Sequence, residues 1–237
     1  MKAPVLIYHK IDEPTSDVKI RGAYTSPRRF AKQIAYLLKA GFSFYHASEM
    51  IDYFRNNGTF PKKGLAVSFD DGWKDNYKNA FPILKSFGIK ATIFLVPSCI
   101  GKSTDQVTAD GEGPREHLSK EDIIQMSRNG IEFGSHSMNH KLFNQISREE
   151  IESEVAESKK EIEALVQKSC TIFAYPAGFY NDDAISALKQ NGYIGAFTTV
   201  YGSDEETNLD ALNRVEILRR DGRIFQFPRK IKRMALI

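Results

Sequence analysis

The sequence predicts an α/β protein: a single closed barrel of parallel strands, each followed by a helix. Three observations carry this. Apolar runs of strand length alternate with amphipathic helical patterns along most of the chain. Within the runs consecutive positions are apolar, as expected of strands buried on both faces of a parallel sheet. The helical stretches mostly end at glycine, and seven or so such units follow one another without a linker-like stretch. That succession favours a closed barrel over the open doubly wound sheet that the same alternation would also permit.

The elements follow in order. "VLIYH" (5–9) is the first strand, and "RRFAKQIAYLLKAG" (28–41) sets Phe30, Ile34, Leu37 and Leu38 on one helical face before stopping at Gly41. "FSFY" precedes the helical "ASEMIDYFRNNG", "GLAVSF" precedes "KDNYKNAFPILKSFG", and "KATIFLV" precedes a polar loop over 98–115 and then "LSKEDIIQMSRNG". "SKED" (119–122) reads as a helix capping box. "IEFGS" leads to a long amphipathic helix over 148–166, "TIFAYP" leads to "DDAISALKQNG", and "YIGAFTTV" is the last strand expected. The whole of 1–237 is expected to be one domain, with a basic C-terminal tail from about residue 219.

Composition narrows the classes. Of 237 residues, 41% are hydrophobic and 27% charged, which fits a globular core and argues against disorder. No apolar run reaches the roughly 18 residues of a membrane-spanning helix. The chain enters strand-like sequence at once, without a signal-like apolar leader, so a cytoplasmic location is expected. Cys99 and Cys170 sit in apolar strand-like surroundings and read as buried free thiols. The net charge of +3 is a property of the end of the chain, because residues 211–237 hold eight Lys/Arg against two Asp/Glu, which leaves −3 for the rest. "FPRKIKRMALI" is expected to be a solvated terminus, with weak peripheral contact to anionic headgroups as the alternative. No basic stripe with interleaved aromatics occurs elsewhere, so nucleic acid is not an expected partner.

In a barrel of this kind the residues at the carboxyl ends of the strands share one site. His9 closes "VLIYH", Asp70 and Asp71 follow "LAVSF", His136 and His140 follow "IEFGS", and Pro176 and Gly178 follow "TIFAY". The spacing of His136 and His140 predicts that one helical turn aims both imidazoles the same way, as a metal-binding pair requires. Two histidines and a carboxylate make a three-ligand set that leaves positions open for water and substrate. One of the adjacent aspartates can then hold the cation while its neighbour stays a free base beside metal-bound water, whose pKa falls from about 15.7 towards about 7. Gly72 lets the chain turn sharply there.

"SFDDGW", "GSHSMNH" and "FAYPAG", in that order and spacing, resemble the first three motifs of the polysaccharide deacetylases, the carbohydrate esterase family 4 or NodB-homology proteins. The resemblance runs from "LIYHKI" to "GYIGAFTT". It implies a deformed (β/α) barrel of about seven parallel strands, related to the TIM barrel, and hydrolysis of an N-acetyl group, or less readily an O-acetyl group, on an amino sugar. By position it makes Asp70 the base, Asp71, His136 and His140 the metal ligands, and the Ala177 N–H the donor that stabilises the oxyanion with the metal. Zinc is the preferred cation, with cobalt, nickel or iron accepted by the same ligands. Trp73, Tyr175, Pro176, Gly178 and Phe179 fall in or beside the motifs and are expected to contact substrate.

Two departures stand out. Ala174 occupies the place where many members carry an arginine that steadies the base. No histidine follows His140, so the Leu-x-x-His motif that usually supplies the acid is missing. His9 in "LIYHKI" resembles the N-terminal Tyr-His of the rearranged branch that deacetylates biofilm poly-N-acetylglucosamine, and is expected to protonate the leaving amine. His46 and His117 are expected to be incidental. The expected substrate is an N-acetylated amino-sugar oligomer or a lipid-linked precursor. The rival readings are a catalytically impaired carbohydrate-binding protein and a metal-dependent amidohydrolase acting on a small non-sugar amide.

Overall fold

The computed structural model describes residues 4–19, 21–105, 112–199, 207–222 and 226–233. Its strands are β1 (Val5–Tyr8), β2 (Ser43–Tyr45), β3 (Gly64–Phe69), β4 (Ala91–Leu95), β5 (Ser103–Thr104), β6 (Arg115–Glu116), β7 (Ile131–Ser135), β8 (Ile172–Ala174), β9 (Gly195–Thr198), β10 (Leu212–Asn213) and β11 (Val215–Glu216). Its α-helices are α1 (Pro27–Lys39), α2 (Ala47–Asn57), α3 (Phe81–Phe87), α4 (Lys120–Arg128), α5 (Arg148–Val166), α6 (Asp182–Gln190) and α7 (Gln226–Arg233). None of the described helices is long and apolar enough to cross a membrane.

The main sheet runs β10-β9-β8-β7-β4-β3-β1-β11, with every neighbouring pair parallel and β2 attached to the start of β3. Its two outer strands, β10 and β11, are consecutive in the chain and separated only by Arg214. One bent stretch, 212–216, therefore pairs with β9 at one end and β1 at the other and closes the sheet into a barrel. Sequence patterning missed this segment because it is short and interrupted by a charge.

Side chains sort by strand alternation. Val5, Ala66, Phe94, Ile172, Phe197 and Leu212 form one cluster inside the barrel, and Ala47, Met50 and Ile51 of α2 join it from the amino ends of the strands. The opposite faces of the same strands, including Leu6, Val67, Ile93 and Phe173, pack under the surrounding helices. Ser119 and Asp122 form the predicted capping box of α4, and the expected helix over 148–166 is α5. Cys99 and Cys170 are buried free thiols.

The C-terminal segment departs from the expected solvated tail. Phe227 and Ile231 of α7 are buried in the outer core, and Lys230 bonds Asp221 at 2.6 Å. Spacing four residues apart puts those two apolar side chains on one helical face, which anchors an otherwise cationic helix.

Candidate active site

The site forms where β3, β7 and β8 end. Asp71 follows β3 with φ 73° and Gly72 continues in the left-handed region with φ 68°. A Cβ at Gly72 would also lie 2.8 Å from a Leu95 methyl, so both conformation and space demand glycine. Among the described residues, four of the six non-glycine residues with positive φ lie in the three motifs: Asp71, Ser137, His140 and Ala177. Backbone held in such conformations concentrates at functional sites.

Asp71 Oδ1 lies 3.5 Å from His136 Nε2 and 3.7 Å from His140 Nε2. These three atoms form the one group among the described residues able to hold a metal ion, all within 4.8 Å of one another. Zinc bonds of roughly 2.0–2.2 Å set tetrahedral edges of about 3.3–3.6 Å, which the two distances from Asp71 Oδ1 approach, so the donor set suits that ion. His136 Nδ1 is 2.7 Å from the Ala174 carbonyl, which can only accept, so Nδ1 carries the proton and Nε2 offers its lone pair to the site. Burial and the neighbouring His136 push His140 down to about 4 against the pull of Asp71 and Asp70, leaving a neutral imidazole fit for ligation.

The geometry that aims the two histidines differs from the expected one. They do not share a helical turn: residues 136–140 form an irregular loop in which Ser137 and His140 take left-handed φ of 62° and 58°. The rings still converge, with centroids 4.8 Å apart. Two reversals of the backbone do what a helix would have done by periodicity.

Asp70 is buried beside this group, with Oδ2 3.9 Å from His136 Nε2. Its partner is the residue that sequence reasoning missed. Arg214 Nη1 donates to Asp70 Oδ1 and Nη2 to Oδ2, both at 2.7 Å, a bidentate pair deep in the barrel. Arg214 is 1% exposed, and Nη1 and Nε also reach Ser68 Oγ at 3.2 Å and the Thr198 carbonyl at 3.3 Å. The rings of Phe94 and Phe197 flank its guanidinium at 5.3 and 5.8 Å. Burial alone would raise the Asp70 carboxyl, but Arg214 outweighs it and, with His136 and His9, brings it down to about 2. A signal was present in the sequence: Leu212 and Arg214 share one strand face, so the charge points where an apolar residue points and needs a counter-ion.

Trp73 and Tyr175 were expected to face substrate, and both are buried instead. Trp73, 1% exposed, donates Nε1–H to Asp71 Oδ2 at 2.9 Å. His117 is no bystander either: it stacks on Trp73 at 4.3 Å and its Nδ1 lies 3.1 Å from the Asp71 carbonyl. Together they fix the side chain and main chain of a metal-ligand candidate, while Lys10 sits 4.1 Å over the indole and pairs with buried Glu112 at 3.0 Å. Trp73→Phe keeps the stacking and loses the hydrogen bond, so zinc affinity should fall about 10–100-fold in a chelator competition titration, with the fold retained. Tyr175 is held by the Asp210 carbonyl at 2.8 Å and stacks on Tyr180 at 5.0 Å. Pro176 and Gly178 are buried in the turn after β8, and a Cβ at Gly178 would meet Thr199 Oγ1 at 2.4 Å. Phe179, 46% exposed, remains available to a ligand. His46 starts α2 and bonds the Gly130 carbonyl at 2.8 Å, a structural role at the amino end of the barrel.

His9 leaves β1 close enough to Asp70 and His140 for its charge to act on both. Its Nδ1 is buried without a hydrogen-bond partner. The backbone around it is clamped: Asn76 Nδ2 bonds the His9 carbonyl at 3.0 Å, Asp75 Oδ1 accepts from Ile11 N at 2.6 Å, and Asn79 Nδ2 bonds the Ile11 carbonyl at 2.8 Å. Burial pushes the Asp75 carboxyl up to about 7. With a folded value above the unfolded one, Asp75 favours the fold most below pH about 4, and that contribution is lost as pH rises through about 7. Asp75→Asn should therefore gain stability relative to the wild type between pH 4 and pH 8, by more than about 1 kcal/mol in urea unfolding.

Comparison with known proteins places the chain in a family. The polysaccharide deacetylase family profile matches residues 57–196. YxkH of Bacillus subtilis, a candidate polysaccharide deacetylase by name, is 31% identical over 217 residues, covering 91% of this chain and 71% of its own length. A Staphylococcus epidermidis protein named poly-beta-1,6-N-acetyl-D-glucosamine N-deacetylase is 29% identical over 215 residues, covering 83% of this chain and 72% of its own. Among solved structures, the Streptococcus pyogenes deacetylase PplD in complex with acetate superposes with a TM-score of 0.79 at 27% identity, over 92% of this chain and 93% of that one. The profile covers more than half the residues and includes Asp70, Asp71 and both histidines of the cluster, so the chain belongs to the polysaccharide deacetylase family.

Proposed function

We propose that this protein removes N-acetyl groups from an N-acetylglucosamine-containing glycan, using a divalent ion, zinc by preference, held by Asp71, His136 and His140. The observation that carries the reading is the pairing of that three-atom group with an anionic, arginine-held Asp70 on the next residue. A cation held there would supply polarisation of the amide carbonyl and would acidify a water. Asp70 takes the proton of the attacking water: the bidentate Arg214 pair uses one lone pair on each carboxylate oxygen and leaves the others free. The Ala177 N–H, in its left-handed turn, donates to the oxyanion. His9 gives its proton to the departing amine, and acetate and a free amino sugar leave. Exposed Phe179 offers the glycan an apolar face.

The relatives named for poly-N-acetylglucosamine support the glycan class, and Ala174 no longer speaks for an impaired binding protein because Arg214 holds the base from the junction of β10 and β11. Incubation of the zinc-loaded protein with β-1,6- and β-1,4-linked N-acetylglucosamine oligomers should release acetate and expose one free amine per acetate. Acetate release from neither oligomer nor any other acylated sugar would remove the reading. His9→Ala should lower turnover by at least about 100-fold with zinc content unchanged, and an unaltered rate would take His9 out of the reaction.

A further inference from the structure

We propose that Lys10 is a positioning residue for the metal centre and that it acts through the Trp73 indole on Asp71. The inference rests on the reading of Asp71 as a zinc ligand and adds to it a cation from outside the ligand set.

A lysine is seldom buried unless paired, because its ammonium gives up its hydration. Lys10, just beyond the end of β1, is buried. Its Nζ bonds Glu112 Oε2 at 3.0 Å and stands 4.1 Å from the centre of the Trp73 ring and 5.0 Å from that of Tyr24. The main chain is fixed as well: the Lys10 N–H donates to the Ala23 carbonyl at 3.1 Å, and the Lys10 carbonyl accepts from the Thr25 N–H at 2.9 Å. Glu112 in turn accepts from the Tyr24 hydroxyl and from Arg115 Nε at 3.0 Å, and Arg115 Nη2 donates to Asp17 Oδ2 at 2.7 Å. Burial would raise the Glu112 carboxyl, but the Tyr24 hydroxyl and Lys10 outweigh it and hold it below its ordinary value, so the pair stands as ions.

A buried ion pair adds little to stability over apolar side chains of the same volume, so its position calls for another reason. The indole supplies one. Its N–H donates to Asp71 Oδ2 at 2.9 Å, which leaves Oδ1 as the oxygen nearest His136 and His140. A cation over the ring draws on the π electrons, which makes the N–H a stronger donor, and its attraction to the ring holds the indole in place. Both effects fix which oxygen of Asp71 meets the ion. Direct action of the ammonium would have the opposite sign. A positive charge felt through space repels a dication, so its removal would tighten zinc, whereas loss of the brace on the indole loosens it.

The test compares the full-length wild type with Lys10→Met and Trp73→Phe, singly and together. In Lys10→Met, Glu112 keeps Tyr24 and Arg115, so no buried charge is left alone. Zinc affinity in a chelator competition should fall by at least about threefold in Lys10→Met, less than in Trp73→Phe. Lys10→Met should cost nothing further once the indole N–H is gone, a non-additivity that a packing role would not produce. Trp73 is the only tryptophan, so the metal-free protein gives one indole peak in a proton–nitrogen correlation spectrum. That peak should move upfield in Lys10→Met as the bond to Asp71 weakens. Lys10→Gln removes the charge but can still donate to Glu112; it should repeat both changes, and it decides alone should Lys10→Met fail to fold. Tighter or unchanged zinc binding, additive losses in the double variant, or an unmoved indole peak would overturn the inference and leave the proposed function standing. A wild type that takes up no zinc would overturn both.

Discussion

Arg214→Met should destabilise the metal-free chain by about 3–5 kcal/mol in urea unfolding, because it leaves the Asp70 carboxylate buried and unpaired. The same change should lower acetate release by at least about 100-fold, since the base loses both its orientation and the charge that keeps it ionised. The effect carries a pH signature. Asp70 sits at about 2 in the fold, below its value in the unfolded chain, so the Arg214 pair stabilises the protein fully above pH about 4 and loses that contribution as pH falls through about 2. The acid limb of the unfolding curve should therefore be steep in the wild type between pH 4 and 2 and flatter in Arg214→Met with Asp70→Asn. That double variant should recover part of the lost stability and none of the activity. Arg214→Lys should not restore turnover, because a single ammonium cannot span both carboxylate oxygens.

Asp70→Asn should reduce acetate release by about 10²–10⁴-fold, the range for removal of a general base, while the protein still takes up one zinc ion. Asp71→Asn should do the reverse in order of cause, losing the zinc first and the activity as a consequence. Metal content measured on both proteins separates the two adjacent carboxylates, which geometry distinguishes by their partners. Asp70 faces Arg214, whereas Asp71 faces His136, His140 and the Trp73 indole. Loss of zinc from Asp70→Asn would reassign the pair.

Most of the barrel was legible because its strands are apolar on both faces and its helices carry strong periodicity and glycine stops, as at Gly41 and Gly58, both left-handed in the structure. The closing strand was not. Stretches of two residues on either side of Arg214 carry no periodic signal, and the basic run after them disguised a core-packed helix as a tail. The motif residues of the site were legible as types at strand ends, but their geometry was not. Alternation and helical spacing describe regular backbone, while Asp71, Ser137, His140 and Ala177 are placed by left-handed turns. Trp73 and His117 were misplaced for a related reason. An aromatic beside a site motif can face the ligand or brace the residue that does, and only the direction of the indole N–H, towards Asp71 Oδ2, decides between them.

The most direct test is anomalous diffraction at the zinc edge from crystals of the full chain grown with zinc. One peak should appear within bonding distance of Asp71 Oδ1, His136 Nε2 and His140 Nε2, with Asp70 still clasped by Arg214 and turned towards that ion's open side. A map without a peak at those three atoms, or with the ion bound through Asp70 in place of Asp71, would contradict the account.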